Sequence, residues 1–163
     1  MTKGKRNQKQ AEFEVKTFPV PFVLEELEGN ITIITNTSTK PSRDQILNQA
    51  IKFHLKGDIS NASKYYKYFI NLGFKDPKAF SNYGTILKGF GKLKEAELFH
   101  RKAIELKPDY ANAHSNLGII LKDIGQLQEA EKSYRKAIQL KPDYADAHSN
   151  LGNLLNDIGQ LQE

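Results

Sequence analysis

The chain contains no cysteine, which excludes disulfides and thiolate metal sites and fits a reducing compartment. A cytoplasmic location is the expectation. It also lacks any apolar run of membrane-spanning length: the most apolar early stretch, Phe18 to Leu24, holds two prolines, whereas a spanning helix needs about 20 apolar residues. The pattern of an export signal is missing too, because Glu12, Glu14 and Lys16 stand where an apolar core should follow the basic start. A charge excess spread over the folded part is absent as well. The net charge is +5, but Lys3, Lys5, Arg6 and Lys9 supply most of it, so the rest of the chain is nearly neutral. A nucleic-acid reader concentrates basic charge on a face of its fold, and this distribution argues against one.

What the sequence does contain is a phrase of 34 residues, best preserved from Ala111 to Tyr144. Gly57, Gly91, Gly125 and Gly159 fall 34 apart, as do Ala62, Ala96 and Ala130, and Pro108 and Pro142. Self-similarity at this period predicts one supersecondary unit stacked repeatedly, with the core buried between neighbours. The units are 43–76, 77–110, 111–144 and a partial fourth, 145–163. Residues 1–41 have no repeat partner and read as a basic, largely disordered or irregular extension. Within it, Val23 to Leu27 has the composition of a helical turn and Ile31 to Thr35 that of a strand.

Helix starts are written into the sequence at two places. Ser42 with Gln45 forms a capping box, and Asp76 before Pro77 supplies an N-cap acceptor followed by the residue tolerated at the first helical position. In the third unit His114, Leu117, Gly118 and Leu121 recur at helical spacing. Gly125 interrupts, and Leu127, Ala130, Tyr134, Ala137 and Ile138 mark a second apolar stripe that Pro142 closes. Each unit is therefore two antiparallel helices, with Gly118 and Ala130 leaving room for close approach.

These residues resemble the tetratricopeptide repeat, whose pattern places a large aromatic residue, Leu-Gly, Tyr, Ala, Phe and Pro at set offsets. Here those offsets hold His114, Leu117 with Gly118, Leu121, Ala130, Tyr134 and Pro142. The first unit departs most, with Gln49 and Ala50 in place of Leu-Gly and Phe74 in place of the closing proline. The resemblance implies an all-α fold, an α/α superhelical solenoid of helical hairpins over residues 42–163, and a protein-interaction role for its inner groove.

At 100° per residue, repeat positions 4, 7, 8 and 11 of the first helix cluster as a packed face, and positions 2, 5, 6, 9, 12 and 13 cluster opposite. The expected groove residues are Lys78, Asn112, Ser81, Ser115, Ile119, Lys122, Asn153, Asn156 and the asparagine that occupies position 6 of every unit, Asn48, Asn82, Asn116 and Asn150. Asparagine is a mediocre helix-interior residue, so its recurrence needs a reason outside the helix. One reason is a ladder of amides that holds the backbone of an extended peptide; such ladders are a feature of arrays that present substrate to O-linked N-acetylglucosamine transferases, and the HSNLG wording is similar to theirs. The other is hydrogen bonding between neighbouring repeats.

The third and fourth units agree at 15 of 19 shared positions, and three of the four differences, Asn112 to Asp146, Ile119 to Asn153 and Lys122 to Asn156, fall on the groove face. Leu47, Ile51 and Leu55 make an apolar stripe on that face of the first unit, which the Phe18 to Leu27 segment is expected to cover. The resemblance also covers arrays that clamp a C-terminal carboxylate with Lys or Arg at positions 2, 5 and 6. Positions 5 and 6 here are Leu or Ser and Asn, so that clamp is absent.

Nothing in the sequence assembles a catalytic site. His114 and His148 stand at the packed position 4, the adjacent Ser115 and Ser149 point about 100° away, and equivalent residues of successive units are too far apart to share a metal, at about 8–10 Å. No enzyme activity, cofactor, metal or small-molecule substrate is expected. The expected function is a non-catalytic scaffold that binds an extended peptide or protein partner, with end-to-end self-association through the C-terminal repeat as a further expectation. The alternative, motivated by the break within the fourth unit, is the substrate-recruiting N-terminal part of a longer glycosyltransferase or sulfotransferase.

Overall fold

In the computed structural model, residues 40–160 are described. They form seven α-helices: α1 (Arg43–Leu55), α2 (Ile59–Asn71), α3 (Pro77–Gly89), α4 (Leu93–Leu106), α5 (Ala111–Asp123), α6 (Leu127–Leu140) and α7 (Ala145–Gln160). First helices begin at Arg43, Pro77, Ala111 and Ala145, in step with the repeat. The hairpins α1–α2, α3–α4 and α5–α6 are the closest-packed pairs, and each hairpin rests on the next, with α4 against α5 and α6 against α7. The expected helical turn at Val23 to Leu27 and strand at Ile31 to Thr35 lie outside the described residues, as does the Phe18 to Leu27 cover.

Local chemistry sets the helix starts. The Ser42 Oγ accepts from the Gln45 N–H at 3.3 Å while Gln45 Oε1 accepts from the Ser42 N–H at 2.8 Å, completing the capping box. Asp76 Oδ1 accepts from the Lys78 and Ala79 N–H groups at 2.9 and 3.0 Å, with Pro77 at the first helical position. The starts of α5 and α7 carry no such acceptor. There the histidines act: His114 Nε2 meets the Pro108 carbonyl at 2.9 Å and His148 Nε2 meets the Pro142 carbonyl at 2.8 Å, each tying the incoming loop to the first turn.

The glycines at the hairpin turns, Gly57, Gly91 and Gly125, have φ of 75°, 74° and 82°, a conformation costly for any side chain with a Cβ. Gly159 does not end its helix, contrary to its place in the series, because α7 runs on to Gln160.

Packing inside each hairpin is as close as the small residues suggest. A Cβ on Gly118 would stand 2.6 Å from the Tyr134 ring, and one on Gly84 would stand 2.8 Å from the His100 ring. The ring at that place on the second helix is Tyr66, His100 or Tyr134, and all three are buried. The buried arc of the first helix is wider than a two-helix wheel anticipates. Positions 3 and 10 are buried as Ala79, Ala113, Ala147, Ile86, Ile120 and Leu154, because each first helix is pressed by the preceding hairpin as well as by its own partner.

Candidate interaction groove

The side of the first helices left open is narrower than the sequence implies. Ser81 and Ser115, expected to line it from position 5, are buried at 2% and 1% exposure. Position 5 is covered by the second helix of its own hairpin: Ser81 Oγ lies 3.4 Å from His100 Nδ1 of α4, and Ser149 on α7, beside which no second helix is packed among the described residues, is exposed. Leu47, at the same position of α1, is also buried, whereas Leu55 is 85% exposed, so the expected apolar stripe is not one exposed patch. The open strip consists of positions 2, 6, 9, 12 and 13.

Lys78 and Asn112 are exposed at position 2, and Asn48, Asn82, Asn116 and Asn150 stand at the inner edge of the strip, exposed in α1 and half-buried in the others. Ile119 and Lys122 are half-buried, and Asn153 and Asn156 are exposed. All share one side of the stacked first helices.

The asparagines have different partners. Asn82 Nδ2 donates to the Tyr66 hydroxyl of the preceding hairpin at 2.9 Å, joining the first two repeats. Asn116 Nδ2 points back to the preceding first helix and lies 3.5 Å from Thr85 Oγ1, at the edge of hydrogen-bond range. The residue equivalent to Tyr66 in the second hairpin is His100, which carries no hydroxyl. Neighbour bonding thus accounts for one N–H of Asn82 and weakly for one of Asn116. Burial raises the pKa of the Tyr66 hydroxyl, so it stays protonated and available as an acceptor at neutral pH.

Charge along the strip follows a second ladder that single-unit reading misses. Lys88 pairs with Asp123 at 3.5 Å and Lys122 with Asp157 at 2.6 Å, each joining position 12 of one repeat to position 13 of the next. The signal was present in the sequence as Lys at one position and Asp one residue further along the following unit. The first interface has His54 and Gly89 there and forms no such pair. The strip is therefore crossed by ion pairs between α3, α5 and α7, and the position-6 amides are the neutral donors and acceptors that recur in every unit.

Among the described residues, no group of three or more His, Asp or Glu side chains is placed to hold a metal, and no helix is long and apolar enough to cross a membrane.

Comparisons with known proteins agree with this architecture. Models described as tetratricopeptide repeats match residues 77–110 and 101–132, and one described as a TPR repeat matches 120–159. No curated protein sequence matches the chain. Among solved structures, the first TPR of Spaghetti (RPAP3) bound to the HSP90 peptide SRMEEVD superposes with a TM-score of 0.67 at 20% identity, covering 72% of this chain and 93% of that one. MamA superposes at 0.69 with 23% identity, over 73% of this chain and 70% of that one. The O-GlcNAc transferase of Thermobaculum terrenum superposes at 0.66 with 26% identity, over 73% of this chain and only 23% of that one. Repeat models in register over successive units, helical hairpins that start 34 residues apart and these superpositions lead to one conclusion: the chain is a tetratricopeptide repeat protein.

Proposed function

We propose that this protein is a non-catalytic scaffold whose open strip binds an extended segment of a partner protein. The observation that carries the reading is the register of Asn82, Asn116 and Asn150: three amides at one position of three stacked helices, half-buried and aligned along the strip. Each offers a carbonyl oxygen as well as its donor, and a peptide backbone presents complementary groups at regular intervals. The peptide held by Spaghetti gives a precedent for the fold, but that peptide is acidic. In this chain position 5 is buried in α1, α3 and α5 and position 6 is neutral, so we assign the strip to backbone amides of a partner and not to an acidic tail. Each net hydrogen bond adds about 0.5–1.5 kcal/mol, so affinity is the sum of several.

The test is selection from a peptide library displayed on phage, using the full chain as bait, followed by titration of an enriched peptide. Asn116→Ala with Asn150→Ala should weaken that peptide at least about tenfold, which is about 1.4 kcal/mol, while the thermal midpoint stays unchanged. Equal binding by the double variant would refute the role of the amides. Asn82 is left out of the test because its bond to Tyr66 mixes binding with stability.

A further inference from the structure

The first two interfaces between successive hairpins are filled to different extents on the side of their second helices. At the first, the Phe99 ring of α4 lies against Phe80 and Tyr83 of α3, with centroids 6.0 and 4.9 Å away, and Ile70 of α2 packs into the same cluster. Lys102 on the same helix sets its Nζ 5.2 Å from the centroid of Phe99. The second interface has smaller residues at those places: His114 for Phe80, Leu117 for Tyr83 and Ser133 for Phe99, with Ile104 where Ile70 stands. These four line an open groove of about 460 Å³ between α4, α5 and α6, within the roughly 300–1,000 Å³ of small-ligand sites. Each of the three helices packs against the helix before it and the helix after it, so no element of the stack is absent from this place. What the groove lacks is the ring that Phe99 supplies one repeat earlier.

Charge gives the groove a polarity. Lys132 and Lys136 stand one helical turn apart on α6, on either side of Ser133, and neither is in an ion pair among the described residues. Lys136 Nζ donates to the neutral Gln139 Oε1 at 3.0 Å. On the α4 wall Arg101 is held by Glu97 and Glu129 at 2.8 and 2.9 Å, and Glu105 is the acid of the lining. The two lysines outnumber it, so carboxylates beside a bound ring would meet them. Lys136 has the place of Lys102, which already covers such a ring by a cation–π contact.

We infer that the groove between α4, α5 and α6 seats an aromatic side chain of a partner segment, flanked by acidic residues, with the ring where Phe99 lies in the preceding repeat and the acids against Lys132 and Lys136. Burial of an aromatic side chain, about 150–250 Å² of surface, supplies the attraction. The strip of position-6 amides is built by first helices alone, whereas two walls of this groove are second helices, so the two sites are separate.

The probe is the acetylated and amidated pentapeptide Glu-Glu-Phe-Glu-Glu, titrated into the full chain carrying methyl-labelled Ile and Leu while NMR shifts are followed. Saturable shifts of the Ile104 and Leu117 methyl groups are expected, and none when Ala replaces Phe in the peptide. Ser133→Phe, which copies Phe99 into the groove, should weaken the peptide at least about tenfold without lowering the thermal midpoint. Lys132→Ala with Lys136→Ala should weaken it at least about threefold and leave the fold unchanged, and this variant decides if Ser133→Phe fails to fold. Absence of shifts, an equal response to the Ala peptide, or undiminished binding by either folded variant overturns the inference. Loss of binding in Asn116→Ala with Asn150→Ala would place the peptide in the strip and overturn it as well.

Discussion

At the residue scale the most consequential departure from the repeat is His100. Tyr66 and Tyr134 occupy the same place in the hairpins on either side, and a histidine there is fully buried with Nε2 unpaired among the described residues. Burial lowers its pKa from 6.5 to about 4. The folded state thus holds the ring neutral over a range in which the unfolded chain takes up a proton. The stability contributed by the neutral ring is fully present above about pH 6.5 and is lost progressively as pH falls toward 4. The shift corresponds to roughly 3 kcal/mol at its limit, at about 1.4 kcal/mol per pKa unit. His100→Tyr should remove this dependence, since Gly84 leaves the same room that Gly118 leaves for Tyr134, and its hydroxyl would reach toward Asn116 as Tyr66 reaches Asn82. Urea midpoints of parent and variant, compared at pH 7.5 and pH 5, check it: the parent should lose stability relative to His100→Tyr on acidification. Parallel profiles would mean that the ring is hydrated.

At the scale of the helix, caps separate what was legible in the sequence from what was not. Ser42 and Asp76 announce α1 and α3 by side-chain chemistry that needs no knowledge of the rest of the fold. Asp76 also accepts from Arg43 Nη2 at 3.2 Å, which links the first hairpin to the start of the second. Asp76→Ala should cost about 1 kcal/mol, within the usual range of roughly 0.5–2 kcal/mol for a lost N-cap, read as a lower urea midpoint with unchanged slope. The starts of α5 and α7 were legible only through the repeat register, because Tyr110 and Tyr144 offer no capping acceptor of the usual kind. The hairpin stripes, the turn glycines at Gly57, Gly91 and Gly125, and the close approach at Gly118 followed from spacing within one unit. The burial of positions 3 and 10, as Ala79, Ile86, Ala113 and Ile120, did not, since it depends on the hairpin before. A helical wheel counts one partner, and a first helix in a stack has more. The Lys88–Asp123 and Lys122–Asp157 pairs are not legible within one unit for the same reason, each being split between two units.

At the scale of the whole molecule, stability in a stacked array is the sum of each hairpin's own contribution and that of its contacts with neighbours, so identical helices differ by position alone. α5 and α7 test this directly, because their sequences differ at only a few sites and the buried change, Ile120 to Leu154, conserves volume with both side chains fully buried. α5 is covered by α4 and α6 and touches α3 and α7, whereas among the described residues α7 packs mainly on α6 and touches α5. Local opening of α7 therefore breaks fewer buried contacts than opening of α5, which requires that the array come apart on both sides. Hydrogen exchange followed by mass spectrometry should show amides of residues 147–158 exchanging at least about tenfold faster than those of 113–124, a difference of about 1.4 kcal/mol in opening free energy. Equal protection would mean that the position of a helix in the array does not determine its stability.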